Sequence, residues 1–146
     1  MAALTQQNPR RYDADVGPNY NHLPVKSGVQ LYGGGAYAIE LATGFVYVPV
    51  GNDAAEVFAG FADEDVLGDG SKTVRLRGRG VVVLDVTGVD GNNDYGKPVY
   101  AINDGTFSIT DTGSDLLIGR VLRHITGTTA AVYFEAAPFR GADVPA

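Results

Sequence analysis

The stretch Lys72–Val86, "KTVRLRGRGVVVLDV", decides which class of fold the chain adopts. In its first half, apolar and charged residues alternate, so Val74 and Leu76 share one face and Arg75 and Arg77 share the other. A period of two residues is typical of a half-buried β-strand. The second half is a run of valine and leucine, which also favours strand. The stretch therefore predicts two consecutive strands and no helix.

The same pattern continues in both directions along the chain. Short apolar or alternating segments are separated by turn-forming residues: AYAIELA, FVYVPV and EVFAGFA before the stretch, and PVYAI, TFSIT, LLIGRVLRHI and AAVYFEAA after it. About eight or nine strands at a spacing of roughly ten residues indicate a small barrel or sandwich. The 146 residues are the size of one domain. We predict an all-β fold, a small β-barrel or β-sandwich with at most one short helix, near Asn92–Gly96.

Residues 1–28, called the arm from here on, differ in composition from the rest. They contain three prolines, several Asn and Gln residues and no apolar period, which indicates an extended segment. Residues 29–146 are predicted to form a single β-barrel domain. The basic and apolar side chains of the arm would suit contact with a partner, but they would equally suit packing on its own domain. The candidates for contact with a partner are Arg10, Arg11, Tyr12, Tyr20, His22 and Leu23.

Composition and charge argue against several classes of partner. The net charge of −6 disfavours direct binding of nucleic acid, which depends on neutralising phosphates with Lys and Arg. The sequence has no apolar segment approaching the ~20 residues that span a bilayer, and its first residues are polar rather than a signal peptide. We therefore expect a soluble protein made in a cytoplasm, with no membrane partner. Cysteine is absent, so no disulfide is expected.

The segment "NDYGKPVYAINDGTF", residues 93–107, is the strongest candidate for a metal or phosphate site. Asp90, Asn92 and Asp94 occupy alternate positions, as in the first half of a calcium-binding EF-hand loop. The pattern then fails, because Tyr95 stands where glycine is required and Ala101 where the bidentate glutamate belongs. A phosphate-binding P-loop would need Ser or Thr after Lys97, and Pro98 occupies that position. We predict no metal site and no cofactor, and expect a two-residue hairpin turn at Asp104–Gly105 instead.

Residues for catalysis are sparse. The only histidines are His22, in the arm, and His124, and no serine lies in a nucleophile motif. The acids at 63–65 and the pair at 111 and 115 fall in loop-like sequence and are interpreted as solvated turn residues. The arginines of "RLRGR", residues 75–79, share one face and are interpreted as a solvated face or a row of ion pairs. We expect an interaction or structural module rather than an enzyme.

Three segments, taken in order, resemble the small capsid decoration (cement) proteins of tailed phages. They are "GDGSKTVRLRGRGVVVLDV" (68–86), "NNDYGKPVYAINDGTFSIT" (92–110) and "LLIGRVLRHITGTTAAVYFEA" (116–136). The resemblance covers roughly residues 36–136. Where the family has the second aspartate of an Asp-Asp turn, this sequence has Gly105. The arm shares no motif with the family. The residues that fill the central motif are Gly96, Lys97, Pro98, Val99, Tyr100, Asp104 and Gly105.

The resemblance implies a small β-barrel of the β-tulip kind that forms a homotrimer. Such a protein would bind the major capsid protein on the outside of the phage head at threefold or quasi-threefold sites, and would stabilise the head against the pressure of packaged DNA. It would be located in the virion and would have neither enzymatic activity nor cofactor. The alternative class is a virion or cell-surface binding module, such as a head-fibre base or a carbohydrate-binding barrel.

Overall fold

The computed structural model describes residues 3–14, 20–52, 54–113 and 115–140. Within these ranges the chain is built of strands, with a 3₁₀ turn at Asn92–Asp94 and one four-residue helix, α1 (Ala137–Arg140). The strands in chain order are β1 (Tyr12–Ala14), β2 (Tyr20–Pro24), β3 (Gln30–Leu31), β4 (Ala36–Glu40), β5 (Val46–Tyr47), β6 (Glu56–Ala62), β7 (Val66–Leu67), β8 (Thr73–Arg77), β9 (Arg79–Thr87), β10 (Pro98–Ala101), β11 (Phe107–Ser108), β12 (Leu116–Thr126) and β13 (Thr129–Glu135).

Five of these strands close into a barrel. β9 pairs with β11 in parallel, and β11–β10, β10–β12, β12–β13 and β13–β9 pair antiparallel, which completes the ring. Closure satisfies the backbone groups that an open sheet leaves at its two edges. The prediction of an all-β barrel or sandwich with at most one short helix is confirmed.

A second sheet packs against the barrel. Its five strands follow the order β2-β8-β6-β4-β5. β3 and β7 form a separate two-stranded ribbon, and β1 pairs with β9 of the barrel. β8 leads directly into β9 through Gly78, so one extended segment belongs first to the sheet and then to the barrel. Val74 and Leu76 are fully buried on this segment, as their alternation predicts.

Phenylalanines fill the space between the sheet and the barrel. The ring of Phe61, from β6, lies 4.9 Å from Phe134 and 6.0 Å from Phe107, measured between ring centroids, and both partners belong to the barrel. Phe58 meets the same cluster edge-on, at 5.8 Å from Phe61. Aromatic pairs at these distances and tilts add to the stabilisation from burial alone.

A β-bulge in β6 lets the sheet contribute to two cores. Tyr37 pairs with Gly60 and Ala38 pairs with Phe58, so Ala59 is an extra residue between them. The bulge shifts the alternation of side chains. Phe58 therefore joins the core shared with the barrel, whereas Ala59 joins a second core with Tyr37, under the β3–β7 ribbon.

The prediction of a two-residue hairpin turn at Asp104–Gly105 is wrong. β10 and β11 are joined by residues 102–106, with the Ile102 amide donating to the Thr106 carbonyl at 2.9 Å. Neither Asp104 nor Gly105 has a positive φ. The longer loop has a physical reason, because it turns the Asp104 carboxylate inward, where it accepts hydrogen bonds from two other parts of the chain.

Candidate functional site

The described part of the arm lies against its own domain as an edge strand. Tyr12 pairs with Val82 of β9, and from Tyr20 to Pro24 the arm pairs with β8, antiparallel in both places. Residues 15–19, between the two pairings, lie outside the described ranges. Of the two arrangements that the sequence left open, packing on its own chain is therefore the one present here.

Arginines of the β8–β9 segment stack on the tyrosines of the arm. The Arg77 guanidinium lies 4.1 Å from the Tyr12 ring centroid and 5.0 Å from that of Tyr20, and the Arg75 guanidinium lies 4.1 Å from Tyr20. Asp63 lies within ion-pair distance of both, with carboxylate oxygens 3.6 Å from Nε of Arg75 and 3.8 Å from Nε of Arg77. The predicted row of ion pairs is therefore present at these two arginines, and cation–π stacking on the arm accompanies it.

Tyr12 connects this surface to the core. Its ring lies 6.2 Å from the ring of Phe134 and packs against the core shared by the sheet and the barrel. Burial raises the pKa of the Tyr12 hydroxyl to about 12. The phenol therefore stays neutral over the whole physiological pH range.

The C-terminal end of the described chain packs on the same segment. The Arg79 guanidinium lies 5.8 Å from the Phe139 ring centroid, and the Ala136 amide donates to the Gly78 carbonyl at 2.6 Å. A β-carbon at Gly78 would collide with the Phe139 ring. Glycine is needed here because another part of the chain lies directly on the backbone.

Residues 3–11 of the arm cross the glycine run at 33–35. The Asn8 amide donates to the Gly33 carbonyl at 2.7 Å. Gly34 has a φ of +90°, and a β-carbon there would collide with the Asn8 carbonyl oxygen. Gly34, in the middle of the run, therefore leaves the room that the backbone of the arm occupies.

Asp104 joins three parts of the molecule. Its carboxylate accepts one hydrogen bond from the Leu4 amide and one from the Tyr37 hydroxyl, each at 3.0 Å, and its carbonyl accepts another from the Ala36 amide. Burial raises the pKa of Tyr37 well above its usual range, so that hydroxyl remains a donor. This motif residue thus holds the arm and the five-stranded sheet on the barrel.

Arg10 is directed into the molecule beside this junction. Its Nε donates to the Gly34 carbonyl at 2.8 Å, and its guanidinium lies 5.5 Å from the Phe107 ring centroid. Burial lowers the pKa of Arg10, partly offset by the nearby phenol of Tyr12 and carboxylate of Asp104. The group still stays protonated, because arginine starts from a very high value.

Asp94 and Lys97 form a structural ion pair. The Lys97 ammonium donates to the buried Asp94 carboxylate at 2.7 Å, and the Asp90 amide donates to the same carboxylate at 2.8 Å. The intervening Gly96 has a φ of +81°. The Gly96 amide donates to the Val121 carbonyl, and the Val121 amide donates to the Lys97 carbonyl, both at 2.9 Å. The motif lysine therefore continues the β10–β12 pairing.

The residues predicted to contact a partner divide into two groups. Arg11, Tyr20 and His22 are exposed, whereas Arg10, Tyr12 and Leu23 pack against their own chain. The motif residues Pro98, Val99 and Tyr100 belong to β10, where Val99 is fully buried.

Sequence reasoning missed Asp63 and Phe139 as partners of the arginines. The sequence indicates a solvated turn acid at Asp63, because nothing local distinguishes it from Glu64, whereas the structure pairs its carboxylate with Arg75 and Arg77. Both contacts join residues that are distant in the sequence, and no spacing rule predicts such pairs.

Within the described ranges, no three acidic or histidine side chains lie close enough together to hold a metal ion. Across the same residues, no helix is long and apolar enough to span a membrane. In comparisons with known proteins, the chain matches no family model and no curated protein.

Replacing Gly34 by alanine is predicted to displace residues 3–11 from the glycine run. Gly28→Ala is the matched control, since Gly28 also has a positive φ, +80°, but has open space where the β-carbon would lie. Both variants should lose stability from backbone strain, on the order of 1 kcal/mol. Only Gly34→Ala should speed hydrogen exchange of the Leu4 and Asn8 amides, by about tenfold or more. Equal hydrogen-exchange rates of these amides in the two variants would contradict the close approach of the Asn8 backbone to Gly34.

Asp94 is predicted to make stability depend on pH in the acid range. The hydrogen bond from Lys97 and those from the backbone lower the pKa of Asp94 to about 2. Because the folded-state pKa is below the ordinary value of about 3.9, the charged form stabilises the fold above about pH 4. That contribution disappears as the pH falls through about 2.

The free energies of unfolding of wild type and Asp94→Asn, measured in urea, should therefore differ at pH 7 and converge between about pH 4 and pH 2. Asp90→Asn, which changes an exposed side chain four residues away, is the control and should track wild type. If the free energy of unfolding of wild type still exceeds that of Asp94→Asn by the same amount at pH 2, the charged form of the Asp94 carboxylate is not the source of the difference.

Proposed function

We propose that this chain is a capsid decoration protein of a tailed phage. In this proposal it binds the major capsid protein on the outside of the head, as a homotrimer at threefold or quasi-threefold sites, and stabilises the shell. The observation that carries the proposal is the resemblance of roughly residues 36–136 to that family, centred on "GKPVY" at residues 96–100.

The roles of the motif residues support this reading. Lys97 and Gly96 attach the start of β10 to β12, Val99 fills the barrel core, and Asp104 joins the barrel to the sheet and the arm. A motif whose members build the barrel is expected to persist among proteins that share a barrel and an architectural role. The resemblance therefore falls on residues with a physical reason to be retained.

The arm offers the most suitable surface for a capsid partner. β2 is an edge of the five-stranded sheet, so its outer side can accept a further strand from a neighbour. Tyr20 and His22 are exposed on β2, and Arg11 is exposed just before β1; together they would supply charge and apolar contact. A trimer would present three such edges together, and multivalency raises affinity by roughly 10²–10⁴ over a single contact.

One exposed aromatic favours the alternative, a surface-binding module. Tyr95 is 73% exposed in the loop before β10, and an aromatic ring on a loop is the kind of group that stacks on a sugar. Glycan-array binding that is abolished by Tyr95→Ala would favour this alternative over the capsid role.

The direct test is co-sedimentation with phage heads that lack their decoration protein. Wild-type protein should bind the heads saturably and raise their resistance to heat. Mass measurement of the bound and free protein would test the trimer. Absence of saturable binding to heads of the matching phage would refute the proposal.

The contribution of the arm is predicted to show in a charge-matched pair of variants. Arg11→Glu combined with His22→Ala should weaken head binding by about tenfold or more, because both side chains are exposed along the arm. Lys72→Glu makes the same charge change as Arg11→Glu at an exposed residue outside the arm. If Lys72→Glu weakens binding as much as the arm variant, net charge and not the arm edge governs docking.

A further inference from the structure

The guanidinium of Arg10 is only partly satisfied by its own chain. Its Nε is bound to the Gly34 carbonyl, but its Nη2 is buried and has no hydrogen-bond partner among the described residues. Asp104, the acid that interacts with it electrostatically, has both carboxylate oxygens engaged by Leu4 and Tyr37. Buried polar groups in folded proteins are normally paired, so an unpaired donor on a charged group requires an explanation.

A cavity of about 390 Å³ lies beside Arg10, between the arm and the barrel. Asn8 and Arg10 line it from the arm, Asp85 and Thr87 line it from β9, and the loop at 105–107 forms another wall. Asn8, Asp85 and Thr87 are exposed, so the cavity opens to the surface. A smaller cavity of about 180 Å³ lies between the arm and Asp63, and Arg10 lines that one too.

We propose that the cavity beside Arg10 binds an acidic side chain presented by a partner protein, with the carboxylate paired to the Arg10 guanidinium. The planar fork of arginine matches a carboxylate and gives short, charge-assisted hydrogen bonds. The arm then serves as one wall of a binding site as well as an edge strand.

The size and charge of the cavity select this ligand over simpler anions. A cavity of about 390 Å³ is larger than a lone carboxylate fills, and it suits a side chain with part of its backbone. Asp85 lies in the same cavity and repels any anion there, and the repulsion is larger for a doubly charged phosphate than for a carboxylate with one charge. This site does not depend on the capsid proposal, and failure to bind phage heads would leave it untouched.

The test is a titration of the full-length protein with small probe molecules. Binding is monitored by NMR through the ¹⁵N-labelled side-chain resonances of the arginines. N-acetyl-glutamate amide should shift the Arg10 Nε–H resonance saturably, with a midpoint on the order of 10 mM for a single charge-assisted contact. N-acetyl-glutamine amide, the neutral isostere, should not. Inorganic phosphate and acetate complete the set, at matched ionic strength.

Two variants identify the residues responsible. Arg10→Gln should abolish the saturable shift; in this variant binding is monitored through the backbone amide resonances of Thr87 and Thr106. Arg11→Gln removes the same charge one residue away and should keep the saturable shift. Asp85→Asn leaves Arg10 intact, removes the repulsion and should tighten binding of N-acetyl-glutamate amide about two- to fivefold. Asp85→Asn also keeps the test decisive if Arg10→Gln fails to fold.

Three results would overturn the proposal. The first is a shift that is linear in concentration and equal for the glutamate and glutamine probes. The second is loss of binding in Arg11→Gln to the same extent as in Arg10→Gln. The third is tighter binding of acetate or phosphate than of N-acetyl-glutamate amide, which would assign the cavity to a free anion rather than to a side chain.

Discussion

The stacking of Arg75 and Arg77 on the tyrosines of the arm is the interaction on which the arrangement of the chain depends. Both arginines lie on the segment that passes from the sheet into the barrel, and Asp63 lies within ion-pair distance of both. Tyr12 and Tyr20 of the arm cover their guanidinium planes at 4.1–5.0 Å. Because Tyr12 also reaches Phe134, the surface stacking is continuous with the aromatic core.

The arm and the C-terminal end of the described chain both pack on the β8–β9 segment. The arm pairs with β8 and β9 from one side, and Phe139 lies on Gly78 and Arg79 at the junction between these strands. Non-local pairings of this kind close long loops, so their contacts must offset the conformational entropy that loop closure costs. The arm is consequently a part of the fold, and among the described residues its strand β2 is an edge of the five-stranded sheet.

The sequence predicted the strands of the fold because their information is local. Alternation in Thr73–Arg77 and the apolar run after it specify β8 and β9 without reference to any other residue. The closure of the barrel, the bulge at Ala59 and the inward Asp104 depend on residues far along the chain, and no local period encodes them. The same holds for the candidate site: the sequence indicated Arg10 and Tyr12 as contact residues, but the direction of their side chains follows from tertiary packing.

A double-mutant cycle between Arg77 and Tyr12 measures whether their cation–π stacking holds the arm on its domain. Free energies of unfolding would be measured for wild type, Arg77→Met, Tyr12→Leu and the double variant, with methionine retaining much of the arginine's apolar length. If the guanidinium stacks on the Tyr12 ring as described, the two substitutions should be coupled by about 1–2 kcal/mol. A coupling energy below about 0.3 kcal/mol would mean that the two changes are independent, and would contradict the claim that this stacking holds the arm on its domain.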